Sequence, residues 1–322
     1  MFRLWLLRRC RGMGRMQSVV VRGGQVLRDL LISMRPKQWS KNVFVFAGLV
    51  FAVRLFDPYA VAEALLAFAL FCLASSAVYL INDVTDIERD RAHPVKRNRP
   101  LASGRLRPGV AIAAAVLLIA ISVPAAFWLS LYFGAILLTY LLLMVAYSFC
   151  LKNVVILDIM AIAFGFVLRA AGGAVAIRVS ISHWLFVCTI LLALFLGLAK
   201  RRHELLLLEQ NAGSHRHILS QYSPALLEEL LAIVAASTVI AYSLYTVYGP
   251  NPRLPTYEYV HDIPYMMLTI PFVIYAIFRY LFLVYQKNKG GSPEEILLGD
   301  FPFLLNLLLW GIAVLVILYV LR

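Results

Sequence analysis

The chain has 322 residues, of which 62% are hydrophobic and 15% charged, with a mean hydropathy of +0.81. That is too apolar for an ordinary soluble domain and supplies repeated runs long enough to span a bilayer. The net charge of +13 would suit nucleic acid, but the basic residues sort by membrane side, so no nucleic-acid partner is needed.

Residues 1–33 are Arg-rich, and their longest apolar run before Val19, residues 4–7, is too short for a signal-peptide core. Two readings stay open: a basic stretch lying on anionic lipid, or an upstream extension, since Met13, Met16 and Met34 are all alternative starts. Residues 34–322 read as one membrane domain. Its opening, Arg35-Pro-Lys-Gln-Trp-Ser-Lys41-Asn42, places an interfacial Trp39 beside a Lys41 able to reach either headgroups or a polar pocket.

Hydropathy predicts an all-α polytopic protein with about nine spans, near 43–56, 60–81, 110–128, 131–149, 155–177, 184–199, 228–248, 263–285 and 300–321. The first and sixth are the shortest. With the N-terminus cytoplasmic, 24 of the 30 Lys and Arg residues fall on the inner side, which predicts an N-in, multi-pass protein of the cell inner membrane. Cys10, Cys72, Cys150 and Cys188 have no metal-ligand spacing and read as packing residues. His215 and His217 read as a solvated pair.

On this topology the remaining polar chemistry gathers in three cytoplasmic loops, 82–109, 150–154 and 200–227, which predicts an active-site cavity facing the cytoplasm. At the end of the second span, Asn82, Asp86 and Asp90 are four residues apart. On a helix continuing from the span they form one oxygen-bearing stripe at the membrane surface. Mg²⁺ prefers oxygen ligands and is usually held by one or two carboxylates plus substrate phosphates. A solvated acidic helix end would account for the carboxylates, but not for their junction with Arg91, Lys96, Arg97 and Arg99. The loop from His93 to Pro100 is stiffened by proline and strongly cationic, suited to an anion bridged by the metal.

The second loop carries Tyr147 and Lys152, followed by Asp158 and, within the next span, Arg169. Asp158 and Arg169 share a helical face roughly 16 Å apart along the axis, so Arg169 lies deep in the bilayer. An arginine there costs at least ~2.5 kcal/mol on insertion scales, so it should face a protein-lined cavity and an anionic partner, either a substrate or a carboxylate on another helix. Gly165, Gly172 and Gly173 read as close-packing positions. Lys200-Arg201-Arg202-His203-Glu204 follows the sixth span directly and reads as an anion-binding cluster or a plain cytoplasmic anchor.

Asn82-Asp83-x-x-Asp86-x-x-x-Asp90, the span count and the Tyr147/Lys152 pair resemble the UbiA-type intramembrane prenyltransferase superfamily. Within it the opening at 35–42, His-Pro-x-Lys-x-x-Arg-Pro-Leu-Ala-Ser-Gly at 93–104, Gly-Phe-Val-Leu-Arg-Ala at 165–170 and Lys-Arg-Arg-x-Glu at 200–204 resemble the decaprenyl-phosphate phosphoribosyltransferase branch. The resemblance covers about residues 34–322. It implies a UbiA-like bundle and Mg²⁺-dependent transfer of 5-phosphoribose from phosphoribosyl diphosphate (PRPP) to a polyprenyl phosphate, for cell-envelope glycan precursors. It makes Asn82 and Asp86 the expected metal ligands, and Lys41, Tyr79, Lys96, Lys152, Arg169 and Lys200 the expected PRPP contacts, with Arg201 and Asp90 as additions. Asp90 or Asp158 would orient the sugar hydroxyls beside Asp86 in the catalytic group.

Members that ionise a prenyl diphosphate typically carry a second Asp-x-x-x-Asp motif; here Asp158 is followed four residues later by Ile162, so half of it is missing. Two alternatives remain: transfer of a prenyl group to an aromatic acceptor, and a transporter of phosphorylated metabolites anchored by Arg169. The transporter would need polar residues open to both sides, whereas this chain concentrates them on one. Membrane lipids are the expected surroundings, and a homo-oligomer stays open.

Overall fold

The computed structural model describes residues 24–180, 183–209, 218, 221–248, 265–286 and 299–321. Cys10, His215, His217, Arg216 and the first part of the basic extension lie outside them. The regular structure of the described residues is all helical, with the principal elements α1 (24–34), a 3-10 helix (Pro36–Phe46), α2 (Ala47–Phe51), α3 (Pro58–Thr85), α4 (Ile87–Ala92), α5 (Pro108–Leu129), α6 (Leu131–Phe149), α7 (Leu157–Ala176), α8 (His183–Glu209), α9 (Pro224–Tyr248), α10 (Ile270–Gln286) and α11 (Phe301–Tyr319).

Among the described residues eight helices are long and apolar enough to cross a membrane. The span expected at 43–56 is not one of them. It is the end of the 11-residue 3-10 helix followed by the five-residue α2. The chain then turns at Val53, which takes a left-handed backbone (φ 57). A 3-10 helix rises about 2.0 Å per residue against 1.5 Å for an α-helix, so Pro36–Phe51 has a contour of about 30 Å despite lacking a long helix. The chain is a multi-pass membrane protein.

Local signals set the helix starts. Asp57 accepts the amides of Tyr59 (3.0 Å) and Ala60 (3.3 Å) ahead of Pro58, the first residue of α3. Ser223 accepts the Leu226 amide before Pro224 opens α9. Asp300 accepts the Phe303 amide at the head of α11. At 28 residues, α3 is about 42 Å long against a hydrocarbon core of about 30 Å. It is therefore long enough to span with length to spare, and its last turn carries Asn82 and Asp83.

The described residues divide into two compact units, one of 24–40 with 72–122, the other of 41–71 with the described residues from 123 to 321. The core of the first gathers Ala77, Leu80, Leu101, Leu106, Ala111 and Ala115, against which Leu30 and Met34 of α1 pack. The core of the second is built on Phe195, Leu227, Leu231, Tyr280 and Leu283 from α8, α9 and α10. The small residues of α7 let the chain lie close: a Cβ on Gly48 would stand 2.9 Å from the Ala174 backbone, one on Gly172 would stand 2.7 Å from the Phe71 ring, and one on Gly173 would collide with the Val45 carbonyl. This is the packing role expected for Gly172 and Gly173.

Candidate active site

In the first unit the oxygen stripe forms as the four-residue spacing requires. Asp86 interrupts the helix between α3 and α4, yet its amide bonds to the Asn82 carbonyl (3.0 Å) and the Asp90 amide to the Asp86 carbonyl (2.8 Å). The three side chains therefore keep one face. Asn82 is half-buried and Asp86 buried. Asp86 makes no capping bond to α4, and the Arg89 guanidinium stands 3.7 Å from its Oδ1.

Asp90 has another neighbour. It accepts Arg99 Nη1 at 2.6 Å, and the same nitrogen reaches Asp83 Oδ1 at 3.2 Å. Asp83 in turn pairs with Arg35. Both carboxylates are buried, so an Arg–Asp–Arg–Asp chain ties α3, α4, the basic loop and the head of the 3-10 helix together. Tyr79 belongs to the same cluster, with the Arg35 guanidinium 5.0 Å from its ring centroid. Sequence reading placed Asp83 in a motif without giving it a role and gave Arg35 none, because partners 48 residues apart leave no periodic trace.

The basic loop is built rather than loose. His93 Nδ1 accepts the amides of Val95 (3.1 Å) and Lys96 (3.3 Å), Arg91 donates to the Ala102 carbonyl, and Arg105 donates to the Asn98 carbonyl. Gly104 closes it at φ +78, a left-handed conformation that favours glycine. Lys96 is half-buried on this frame.

The second unit holds the other expected residues. Lys41 is half-buried in the 3-10 helix, Lys152 is buried in the short 3-10 turn Leu151–Asn153, and Lys200 is exposed on α8. Arg169 is 5% exposed. Its Nε donates to Asn42 Oδ1 (2.7 Å) and its Nη2 to the Tyr140 hydroxyl (2.8 Å), while the guanidinium lies 4.7 Å and 5.1 Å from the ring centroids of Tyr140 and Phe166. Among the described residues no carboxylate pairs with it.

Asp158, fully buried, meets Arg201 Nη2 at 2.7 Å; Arg201 is 5% exposed and also donates to Glu204 (2.6 Å). The Tyr222 hydroxyl donates to Asp158 Oδ1 (2.8 Å) and accepts the Ile156 amide (2.7 Å). Ile156 sits at φ 68, a left-handed backbone that is costly for a β-branched residue and is held by that bond. Burial pushes the Tyr222 phenol up to about 12, the Ile156 amide opposes the shift, and the Asp158 carboxylate adds to it. Nearby, Arg202 pairs with Glu228 (2.8 Å) over the Tyr285 ring. Sequence reading gave Tyr222 no role. It also missed the pair of Arg279 with Asp300 (2.9 and 3.1 Å), which the helix-start signal Asp300-Phe-Pro could have suggested.

Three or more Asp, Glu, His or Cys side chains do not gather into a metal cage among the described residues. Mg²⁺ is usually held by one or two side-chain oxygens and completed by phosphates. Asn82 and Asp86 offer hard oxygens on one face, so the residues present fit Mg²⁺.

The UbiA prenyltransferase family model matches residues 42–298. The chain belongs to this family. It is 33% identical over 295 residues to a decaprenyl-phosphate phosphoribosyltransferase of Corynebacterium glutamicum, covering 90% of this chain and 87% of that one. To the protein of the same name from Mycolicibacterium smegmatis it is 35% identical over 290 residues, covering 88% and 91%. With these relatives the chain is a transferase. Its fold is that of a UbiA homologue from Archaeoglobus fulgidus solved with GPP and Mg²⁺, at a TM-score of 0.65 and 18% identity over 89% of this chain and 99% of that one.

Proposed function

We propose that this UbiA-family member transfers 5-phosphoribose from PRPP to a polyprenyl phosphate at the cytoplasmic face of the inner membrane, giving polyprenylphosphoryl-5-phosphoribose and diphosphate for cell-envelope glycan synthesis. The observation that carries the reading is Arg169, a buried cation with only neutral partners among the described residues, in a chain 33–35% identical to decaprenyl-phosphate phosphoribosyltransferases. An anion must complete that environment. PRPP brings a diphosphate and a 5-phosphate, the latter about −1.5 to −2 as a monoester.

Asn82 and Asp86 would hold Mg²⁺, which when bound supplies charge stabilisation for the leaving diphosphate. Lys41, Tyr79, Lys96, Lys152, Arg169 and Lys200 contact the donor. Asp90 and Asp158 act through the arginines they hold, Asp90 setting Arg99 on the stripe and Asp158 setting Arg201. In the reaction an oxygen of the lipid phosphate forms a bond to the anomeric carbon as the bond from that carbon to the diphosphate breaks on the opposite face. Inversion follows from the single displacement. Because the attacking phosphate is already anionic at neutral pH, no general base is required. The lysines and arginines stabilise charge developing on the diphosphate.

Purified protein given labelled PRPP with polyprenyl phosphate, and separately labelled prenyl diphosphate with an aromatic acceptor, tests the reading. Consumption of PRPP supports it; consumption of the prenyl diphosphate alone replaces it with prenyl transfer. Asp86→Ala should abolish Mg²⁺-dependent turnover in a protein that still folds in detergent, and full activity in EDTA would remove the metal. For the sidedness, single cysteines in a cysteine-free background should label from the cytoplasm at position 98 and from outside at position 130.

A further inference from the structure

We propose that a groove along α1 receives the polyprenyl phosphate acceptor, its prenyl chain on Leu27, Leu31 and Ile32 and its phosphate between Arg28 and Lys37. The proposal rests on the transfer reaction above and adds the subsite for its lipid substrate. All residues involved lie in the first unit.

A groove of about 860 Å³ is lined by α1 and the first residues of the 3-10 helix, within the range of small-molecule sites. One face of α1 is committed to the unit: Asp29 and Ser33 are buried, and Leu30 and Met34 pack on the Ala77–Ala115 core. The other face carries the pattern of a helix at a bilayer surface, apolar side chains flanked by cations. Here Leu27, Leu31 and Ile32 are 58%, 46% and 47% exposed, and the flanking cations Arg28 and Lys37 are exposed too. An apolar track bounded by positive charge matches a hydrocarbon chain ending in an anion.

The end of the groove selects among such molecules. At Arg35, where α1 gives way to the 3-10 helix, the backbone is left-handed (φ 55) although the residue is not glycine. Such strain persists where surrounding interactions hold it. Here Arg35 lines the groove while its guanidinium pairs with Asp83 and lies over Tyr79. Asp83 shares the Arg99 guanidinium with Asp90 of the stripe, so the cationic end of the groove is joined to the oxygen stripe through one arginine. A bilayer phospholipid would satisfy the charges but has no reason to be delivered to the carboxylate stripe; the acceptor phosphate must arrive there to react.

The test uses the full chain in neutral detergent, cysteine-free except for Leu31→Cys, with Leu27→Cys as a second probe should the first fail to fold. Maleimide labelling should slow about tenfold with polyprenyl phosphate, but not with polyprenol or phosphatidylglycerol at the same mole fraction. Protection should vanish with Arg28→Gln/Lys37→Gln. In the otherwise wild-type chain that pair of substitutions should raise the acceptor KM about tenfold while the PRPP KM and kcat stay within about twofold. Equal protection by phosphatidylglycerol would make the groove a membrane anchor, and no protection by any lipid would empty it of function; either overturns the proposal. Labelling needs no donor, so a chain that ignores PRPP yet is protected by polyprenyl phosphate would fail the functional reading and keep the groove.

Discussion

Two buried arginines of the second unit, Arg169 on α7 and Arg201 on α8, are equally shielded from solvent and differently answered. Arg201 meets the carboxylates of Asp158 and Glu204, and the Tyr222 hydroxyl donates to the other oxygen of Asp158. Arg169 meets a side-chain amide oxygen, a phenol and two aromatic faces. Removing an ion from water costs several kcal/mol, and a carboxylate offsets this where neutral dipoles do so only in part. Arg201 is therefore answered by carboxylates within the fold, whereas Arg169 is a buried cation that the described residues answer with neutral dipoles and ring faces alone. Burial alone does not distinguish a structural charge from a functional one; the charge of its neighbours does.

The largest expected effect lies on the structural side. Arg201→Met strands the fully buried Asp158 and should lower stability by about 3–5 kcal/mol, read as thermal unfolding in detergent. Replacing Asp158 with Leu as well should recover much of that loss. A single variant as stable as wild type would place Arg201 beside Arg169 as a ligand-facing cation.

Arg169→Met should behave in the opposite way. Loss of a desolvated charge-assisted contact costs ~2–5 kcal/mol, roughly 30-fold to several-thousand-fold in PRPP use, with little change in acceptor affinity or unfolding temperature. If instead it unfolds the protein without a specific loss of donor binding, the contrast between the two arginines collapses.

Tyr222→Phe is milder, since it deprives Asp158 of a donor and the Ile156 amide of an acceptor while leaving the ion pair. A loss of about 1–3 kcal/mol is expected, and an unchanged unfolding temperature would show that the hydroxyl is not holding the left-handed Ile156. The smallest effect is on pH dependence. The Tyr222 phenol rises from 10.0 to about 12, so the folded state favours its neutral form. That contribution is fully present below pH 10 and is lost as pH rises from 10 towards about 12. Wild type should therefore lose stability in this window more steeply than Tyr222→Phe; parallel curves would remove Tyr222 from the alkaline transition.

The helices and the stripe were legible in the sequence because each depends on near neighbours. Hydrophobic runs of span length need no partner to be recognised, and Asn82, Asp86 and Asp90 share a face through the helical period alone. The segment at 43–56 shows where this fails: its apolar composition is that of a span, but composition does not distinguish a 3-10 path with a left-handed turn at Val53 from an α-helix.

What the sequence determined by itself was the membrane class, most of the spans and the oxygen stripe at the end of the second of them. Only the tertiary structure decided which charge answers which. Asp90 and Asp83 turn to Arg99, Asp158 to Arg201, and Arg169 to no carboxylate among the described residues. Such pairings join residues such as Arg35 and Asp83, 48 positions apart, or Tyr222 and Asp158, 64 apart. Local periodicity carries no information about them, because they exist only once distant segments have packed and water has been excluded from between them.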